Sequence, residues 1–174
     1  MTVSKSFPTQ DPGGQPITDT RRVLAGLIAR NADGTPRPGI LPPVATALVA
    51  GRASMAYDVA PFIAATARFN NGIELVANDA LMQVATDPAP NANSRIDVIY
   101  VRSRFLQHAD GSNLVELAVA KGLAAAIPQK PSIPAGALEL GWATVPSTAT
   151  TTLSNGVVIT QTHPFTAAAG GTVW

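Results

Sequence analysis

Two-residue alternation of apolar and polar positions dominates this chain, and helical spacing appears once. The most sharply patterned stretch is 94–105, Ser-Arg-Ile-Asp-Val-Ile-Tyr-Val-Arg-Ser-Arg-Phe. Its centre, 96–101, is β-branched and aromatic, a composition that favours strands. Alternation places Ile96, Val98 and Tyr100 on one face, and Ile99 and Val101 on the other. Both faces are apolar, so a central strand covered on both sides is expected. Arg95 and Asp97 share a face two residues apart, within reach of each other or of neighbouring strands.

Shorter strand-like runs lie at 45–50, 53–59, 62–69, 73–76 and 80–86. Gly51 and Asn70-Asn71-Gly72 are turn signals, the second a tight-hairpin sequence. Pro61 marks an edge or a bulge, because proline lacks the N–H that a ladder needs. Residues 87–94 form a surface loop into the central strand. Beyond Phe105, the polar loop 107–112 leads to a strand at 114–121, an antiparallel hairpin with Val115, Leu117 and Val119 on its inner face. Pro128, Pro131 and Pro134 recur with the three-residue period of a polyproline II turn, which predicts a stiff connector across the sheet or barrel end. A strand at 137–145 puts Leu138, Leu140 and Trp142 on one face, and 157–162 is the last short strand.

The helical stretch is 18–30. Val23, Leu24, Leu27 and Ile28 form one apolar stripe. Thr18 suits the cap and Asp19 the first turn; Arg21 and Arg22 read as a solvated face. Ahead of the helix, residues 2–16 read as an arm in which Pro8, Pro12, Gly13, Gly14 and Pro16 prevent a helix. Behind it, 36–43 (Pro-Arg-Pro-Gly-Ile-Leu-Pro-Pro) reads as a rigid linker. The expected organisation is an arm, helix and proline-rich connector at 1–43, a β domain at 44–164 and a small-residue tail at 165–174. The fold class is mainly β: an antiparallel β-sandwich or barrel preceded by an extended N-terminal arm and one α-helix. Whether the helix packs on its own β domain or on a neighbour stays open here. Candidate contacts with a second copy or a partner are Val23, Leu24, Leu27 and Ile28 on the helix stripe, and Phe165, Val173 and Trp174 in the tail.

Composition narrows the function. Only 13% of the 174 residues are charged, against 46% hydrophobic, so much of the surface suits burial against partners. A net charge of +1 gives no electrostatic case for nucleic acid. The chain has no cysteine, which excludes disulfides and thiolate metal sites. No secretory leader is read at the N-terminus, and no apolar run approaches the roughly 20 residues that span a bilayer, so no membrane insertion is expected.

Catalytic chemistry has little to build on. His108 and His163 belong to no metal motif. Asp110-Gly-Ser-Asn113 matches part of a calcium loop but lacks the terminal glutamate, so it reads as a turn. Glu74, Glu116 and Glu139 fall in expected strands and read as solvent-facing; a glycosidase would need two of them about 5–9 Å apart. There is no Gly-x-Ser-x-Gly, phosphate loop or dinucleotide fingerprint. The expectation is a non-enzyme with no catalytic residue, no cofactor and no metal.

The order of motifs resembles a known module. Arg95-Ile-Asp-Val-Ile-Tyr-Val-Arg102 precedes a hairpin and Val119-Ala-Lys-Gly122. The series Pro128, Pro131, Pro134 follows, then Ala135-Gly-Ala-Leu-Glu-Leu-Gly-Trp-Ala-Thr-Val-Pro146 and the closing Phe165-Thr-Ala-Ala-Ala-Gly-Gly171. This order resembles the N-terminal module of minor tail or baseplate proteins of tailed bacteriophages, especially phages of actinobacteria. The resemblance spans residues 45–171. It implies a structural protein of the virion at the tail tip or baseplate, made in the host cytoplasm. It implies a trimer or hexamer of this chain, contacting other tail proteins as an adaptor for host-recognition elements. The competing expectation is a carbohydrate-binding module that contacts a host-surface glycan through Tyr57 or Trp174, with Tyr100 and Trp142 reading as core. An envelope hydrolase using Glu74, Glu116 or Glu139 is a third.

Overall fold

The computed structural model describes residues 16–68 and 72–170. The expected arm up to residue 15, the turn residues Asn70 and Asn71, and Val173 and Trp174 lie outside the described residues. The chain is mainly β, as expected. One α-helix, α1 (Ile17–Ala25), precedes the strands β1 (Gly39–Leu41), β2 (Val49–Gly51), β3 (Ala56–Val59), β4 (Phe62–Thr66), β5 (Glu74–Asn78), β6 (Met82–Ala85), β7 (Ser94–Ser103), β8 (Val115–Lys121), β9 (Leu138–Pro146) and β10 (Val158–Gln161). They form three sheets, ordered β1-β4-β5, β2-β3-β6 and β10-β9-β7-β8. Among the described residues every strand pairing is antiparallel. A single large core, including Ile40, Tyr57, Phe62, Val76, Ile99 and Leu140, joins all three in a sandwich-like arrangement.

β7 is the central strand, flanked by β8 and β9. Val98 and Ile99, on opposite faces, are both fully buried. The core covers the Ile99 face. On the other side lies the return between β8 and β9. These two strands both run antiparallel to β7, so the chain must travel back along the sheet between them. Residues 122–137 make that journey. Lys130 sits with its ammonium 5.8 Å from the ring centroid of Trp142 and 2.6 Å from the Glu139 carboxylate. The proline triplet therefore stiffens a connector laid across the sheet.

Strand β9 departs from simple alternation. Ile99 faces Gly141 while Tyr100 faces Glu139, so Leu140 is one extra residue, a β-bulge. Leu138 and Leu140 enter the core, and Ala143 and Val145 follow them after the bulge. Trp142 is thereby turned away from the leucine face it was expected to share, and lies half-buried under Lys130.

The helix is shorter than its hydrophobic stripe predicts. It stops at Ala25, and Gly26 forms its C-cap; glycine is a poor helix former. Thr18 is not the cap. Pro16 occupies that position, its carbonyl accepting the N–H groups of Asp19 and Thr20 at 3.0 Å each. Past the helix the backbone extends, and Ile28 bridges to Ala168. The helix packs on its own β domain: Ala25 and Ile28 cluster with Ala65 and Ile73, backed by Leu24.

The stretch read as a rigid linker contains β1, which pairs with β4. The tail also folds onto this region. Ile40 N–H donates to Pro164 at 2.7 Å, Thr166 N–H to Ile40 at 2.9 Å, and Ala29 N–H to Ala167 at 2.8 Å. Gly39 permits this approach, because a Cβ there would stand 2.7 Å from the Phe165 carbonyl carbon.

Pro61 stands between β3 and β4, where the chain passes from one sheet to another, and β4 and β5 pair across the expected hairpin. A further seam, between β10 and β2, is bridged by one side chain. The Gln161 amide accepts from Val49 N–H at 3.0 Å and donates to the Val49 carbonyl at 2.7 Å, standing in for a strand partner.

Gly51 shows how tightly the loop after β9 is inserted. A Cβ at Gly51 would lie 2.4 Å from the Thr152 carbonyl oxygen. Thr152 is held there by its hydroxyl, which donates to Ala56 at 2.5 Å and accepts from Arg52 N–H at 2.8 Å. Gly51→Ala is expected to cost about 1–3 kcal/mol by overpacking backbone against backbone, read as a lower urea midpoint. An unchanged midpoint would mean the loop yields freely.

Candidate functional site

Four charged side chains are buried among the described residues: Arg21, Glu74, Arg95 and Asp97. Asp97 is completely buried on β7. One oxygen accepts from Arg95 Nε at 2.7 Å; the other accepts from Thr86 Oγ1 at 2.6 Å and Tyr57 Oη at 3.0 Å. Arg95 also donates to the carbonyls of Pro88 at 2.5 Å and Asp87 at 2.6 Å. The expected pairing of Arg95 with Asp97 is therefore present and is the centre of a larger network. Burial and the Asp97 carboxylate push the Tyr57 phenol up from its ordinary range. Each carboxylate oxygen is engaged, which suits a fastening between β7, β3 and the loop after β6.

A second buried pair fastens α1. Arg21 Nε donates to Glu74 Oε1 at 2.5 Å, and Thr66 Oγ1 donates to Glu74 Oε2 at 3.0 Å. Both charged side chains are nearly inaccessible. The solvated-face readings of Arg21 and Glu74 are thus overturned: each charge is buried because the other neutralises it. Arg22 is exposed, as expected.

A third cluster holds the loop between β7 and β8. Asp110 accepts from Arg68 and from Phe105 N–H at 2.9 Å, with Arg102 at 3.9 Å. The Arg68 hydrogen bond, then the Phe105 amide, hold its carboxyl down at about 2. A depressed carboxyl stabilises the fold at pH above its unfolded value of about 3.9, and that contribution fades as pH falls through about 2. The stability gap between the native chain and Asp110→Asn should be widest above pH 5 and should close towards pH 2. Urea titrations at several pH values read it directly, and a gap independent of pH would contradict the assignment. Asp110 thus serves its own loop, and among the described residues no group of three or more acidic, histidine or cysteine side chains is placed to hold a metal.

The remaining chemical candidates are also engaged. Glu116 pairs with Arg102 and lies 3.7 Å from Arg104. Glu139 pairs with Lys130 and accepts from Thr162. The His163 ring lies 3.2 Å from the Leu140 carbonyl and edge-on to Phe165, and His108 is edge-on to Phe105. Each of the three glutamates is thus neutralised by its own base on the surface or in the core.

What the surface does offer is apolar relief. One hollow of about 230 Å³ lies between α1, β5 and the β7–β8 hairpin, with Leu24, Leu75, Phe105 and Leu114 on its walls beside the polar Arg21 and Arg104. A second, of about 170 Å³, is lined by Phe62, Ala77, Met82, Val115 and Leu117. The two share Val115 and follow β5, which among the described residues has a strand partner, β4, on one side only. Leu114 is 71% exposed and Val115 50%, so the rim is apolar as well. Together they form one groove.

The expected contact residues divide. Ile28 is buried, and Val23 and Leu24 are half-buried, Leu24 lining the groove. Leu27 and Phe165 are exposed. Val173 and Trp174 lie outside the described residues. Sequence reasoning missed Leu75, Leu114 and Met82. The adjacent apolar pairs Leu81-Met82 and Leu114-Val115 carried a signal, since alternation must turn one member of each pair outward.

Comparison of the chain with protein-family models, with curated proteins and with solved structures finds no match in any of the three.

Proposed function

We propose that this chain is a non-enzymatic structural component of a bacteriophage tail tip or baseplate, a minor tail protein that assembles as a trimer or hexamer. In this role it is an adaptor between the tail and host-recognition elements. The observation that carries the reading is the apolar relief along β5, where exposed Leu75, Leu114, Val115 and Met82 line two hollows that share Val115, beside further exposed apolar side chains such as Leu123 and Ile127 elsewhere on the surface. Contiguous apolar relief suits protein contact, whereas the buried charges are spent on fastening the fold. The ordered motifs from Arg95 to Gly171 supply the phage context, and the Arg95–Asp97 spacing among them has a physical reason in the buried pair.

The glycan-binding alternative draws less support. Sugar platforms need exposed aromatic faces, but among the described residues Tyr57 is fully buried, Tyr100 nearly so, and Trp142 lies under Lys130, while Trp174 lies outside them.

The test is immunogold labelling of virions from the source that carries this sequence, using antibody raised against the purified chain. Labelling at the tail tip is the expected result. Absence from purified virions, or labelling of the host envelope alone, would overturn the proposal.

A further inference from the structure

We infer that Asn155 is a site of spontaneous covalent modification, at which deamidation through a succinimide ring yields aspartate and isoaspartate. Ser154-Asn155-Gly156-Val157 form the turn that leads into β10, with Val157 N–H donating to the Ser154 carbonyl at 3.1 Å. Gly156, third in the turn, has φ +92°, a conformation that such a turn needs and that glycine adopts without a Cβ clash. The same missing Cβ leaves the Gly156 nitrogen unhindered beside the Asn155 side chain. Both residues are exposed. Neither the Gly156 N–H nor the Asn155 side-chain amide has a hydrogen-bond partner among the described residues. Rotation about the Asn155 backbone is therefore enough to bring the nitrogen to the side-chain carbonyl carbon.

The step balances with water as the sole co-reactant. The Gly156 nitrogen gives up its proton and attacks Asn155 Cγ. A C–N bond forms there, the Cγ–Nδ2 bond breaks, and ammonia leaves with the proton. Water then opens the ring at either carbonyl. Opening at Cγ gives aspartate; opening at the main-chain carbonyl gives isoaspartate, with the backbone running through Cγ. Either product adds a negative charge to a chain of formal net charge +1. Both ends of the turn are tied, so the fold beyond it has no need to move. Ser154 Oγ accepts from the Thr150 and Thr151 N–H groups at 3.0 and 2.9 Å, and Val158 pairs with Thr144. Other asparagines are engaged and precede residues other than glycine. Asn31 donates to Thr35 Oγ1 at 3.0 Å, Asn78 donates to the Ala60 carbonyl at 3.1 Å, and Asn113 accepts from Leu106 N–H at 2.9 Å.

The test holds the full chain in mildly alkaline buffer, with and without urea, and maps its peptides by mass spectrometry at intervals. Mapping separates this site from the other Asn-Gly pair, Asn71-Gly72. The peptide holding Asn155 should gain the mass of an amide-to-acid exchange in the folded chain, at a rate comparable to that in urea. An isoaspartate-specific methyltransferase should label the product. Asn155→Gln should abolish both signals, because the larger ring it requires closes far more slowly. Asn155→Asp should accumulate the methylatable product with no mass gain, since the same ring forms by loss of water and reopens. An unmodified Asn155 peptide in the folded chain, once the unfolded chain has converted, would overturn the inference by showing that the turn locks the amide away from the nitrogen. Conversion of Asn31, Asn78 or Asn113 ahead of Asn155 in the folded chain would overturn it as well.

Discussion

Asp97→Ala is expected to remove about 3–5 kcal/mol of stability, a large fraction of the total stability of a typical domain. The carboxylate is fully buried and accepts from Arg95, Thr86 and Tyr57. Its removal strands the Arg95 guanidinium at a site with 7% side-chain exposure and leaves two hydroxyls without their acceptor. The cost is the desolvation of what remains more than the worth of the lost bonds. Two controls follow from that logic. Tyr57→Phe removes one donor and leaves the ion pair, so it should cost about 1–2 kcal/mol. Asp97→Leu combined with Arg95→Met removes both charges, and should recover much of the loss of the single variant. Urea unfolding measures all of them. A loss under about 1 kcal/mol for Asp97→Ala would mean that water reaches this site and that the network is not a closed fastening.

Glu74→Ala is the second large effect, with a different signature. Arg21 has 4% side-chain exposure and Glu74 6%, so the deletion takes away the carboxylate that faces a buried guanidinium. Here the chain has an escape. Arg21 is on α1, a nine-residue helix whose apolar contacts are modest: Ala25, with Leu24 behind it, against Ala65 and Ile73. Lifting α1 from the sheet hydrates the guanidinium, so the loss is capped by the cost of undocking and should fall near 3 kcal/mol. Amide hydrogen exchange separates this from global weakening. The α1 amides should lose protection selectively while those of β7 and β9 keep theirs. Uniform loss across α1 and β7 would instead make the pair part of the global core.

Both fastenings bear on how far sequence reading reaches. The Arg95–Asp97 pair was legible because two residues apart on a strand means one face. Its other partners come from 40 and 11 residues away, and no local pattern announces Tyr57 or Thr86. Arg21 and Glu74 were misread for the same reason. A charged residue in an amphipathic segment reads as solvated until its partner is known, and this partner is 53 residues distant. Strand existence was readable from composition, and β7, β8 and β10 fall where alternation put them. The ends were less so. The stripe Val23, Leu24, Leu27, Ile28 has helical spacing, but Gly26 stops the helix and Ile28 goes into a bridge with the tail. One inserted residue, Leu140, is enough to turn Trp142 to the opposite face. β1 was hidden among prolines because its pairing is set by the tail and β4, not by its own three residues. The groove was the least legible feature, since it exists only where α1, β5 and the β7–β8 hairpin meet.

The claim that this chain is an assembly subunit is tested most directly by its native mass, measured by light scattering over a concentration series. The account predicts a discrete trimer or hexamer that persists on moderate dilution. A single monomeric mass across the whole range would contradict it.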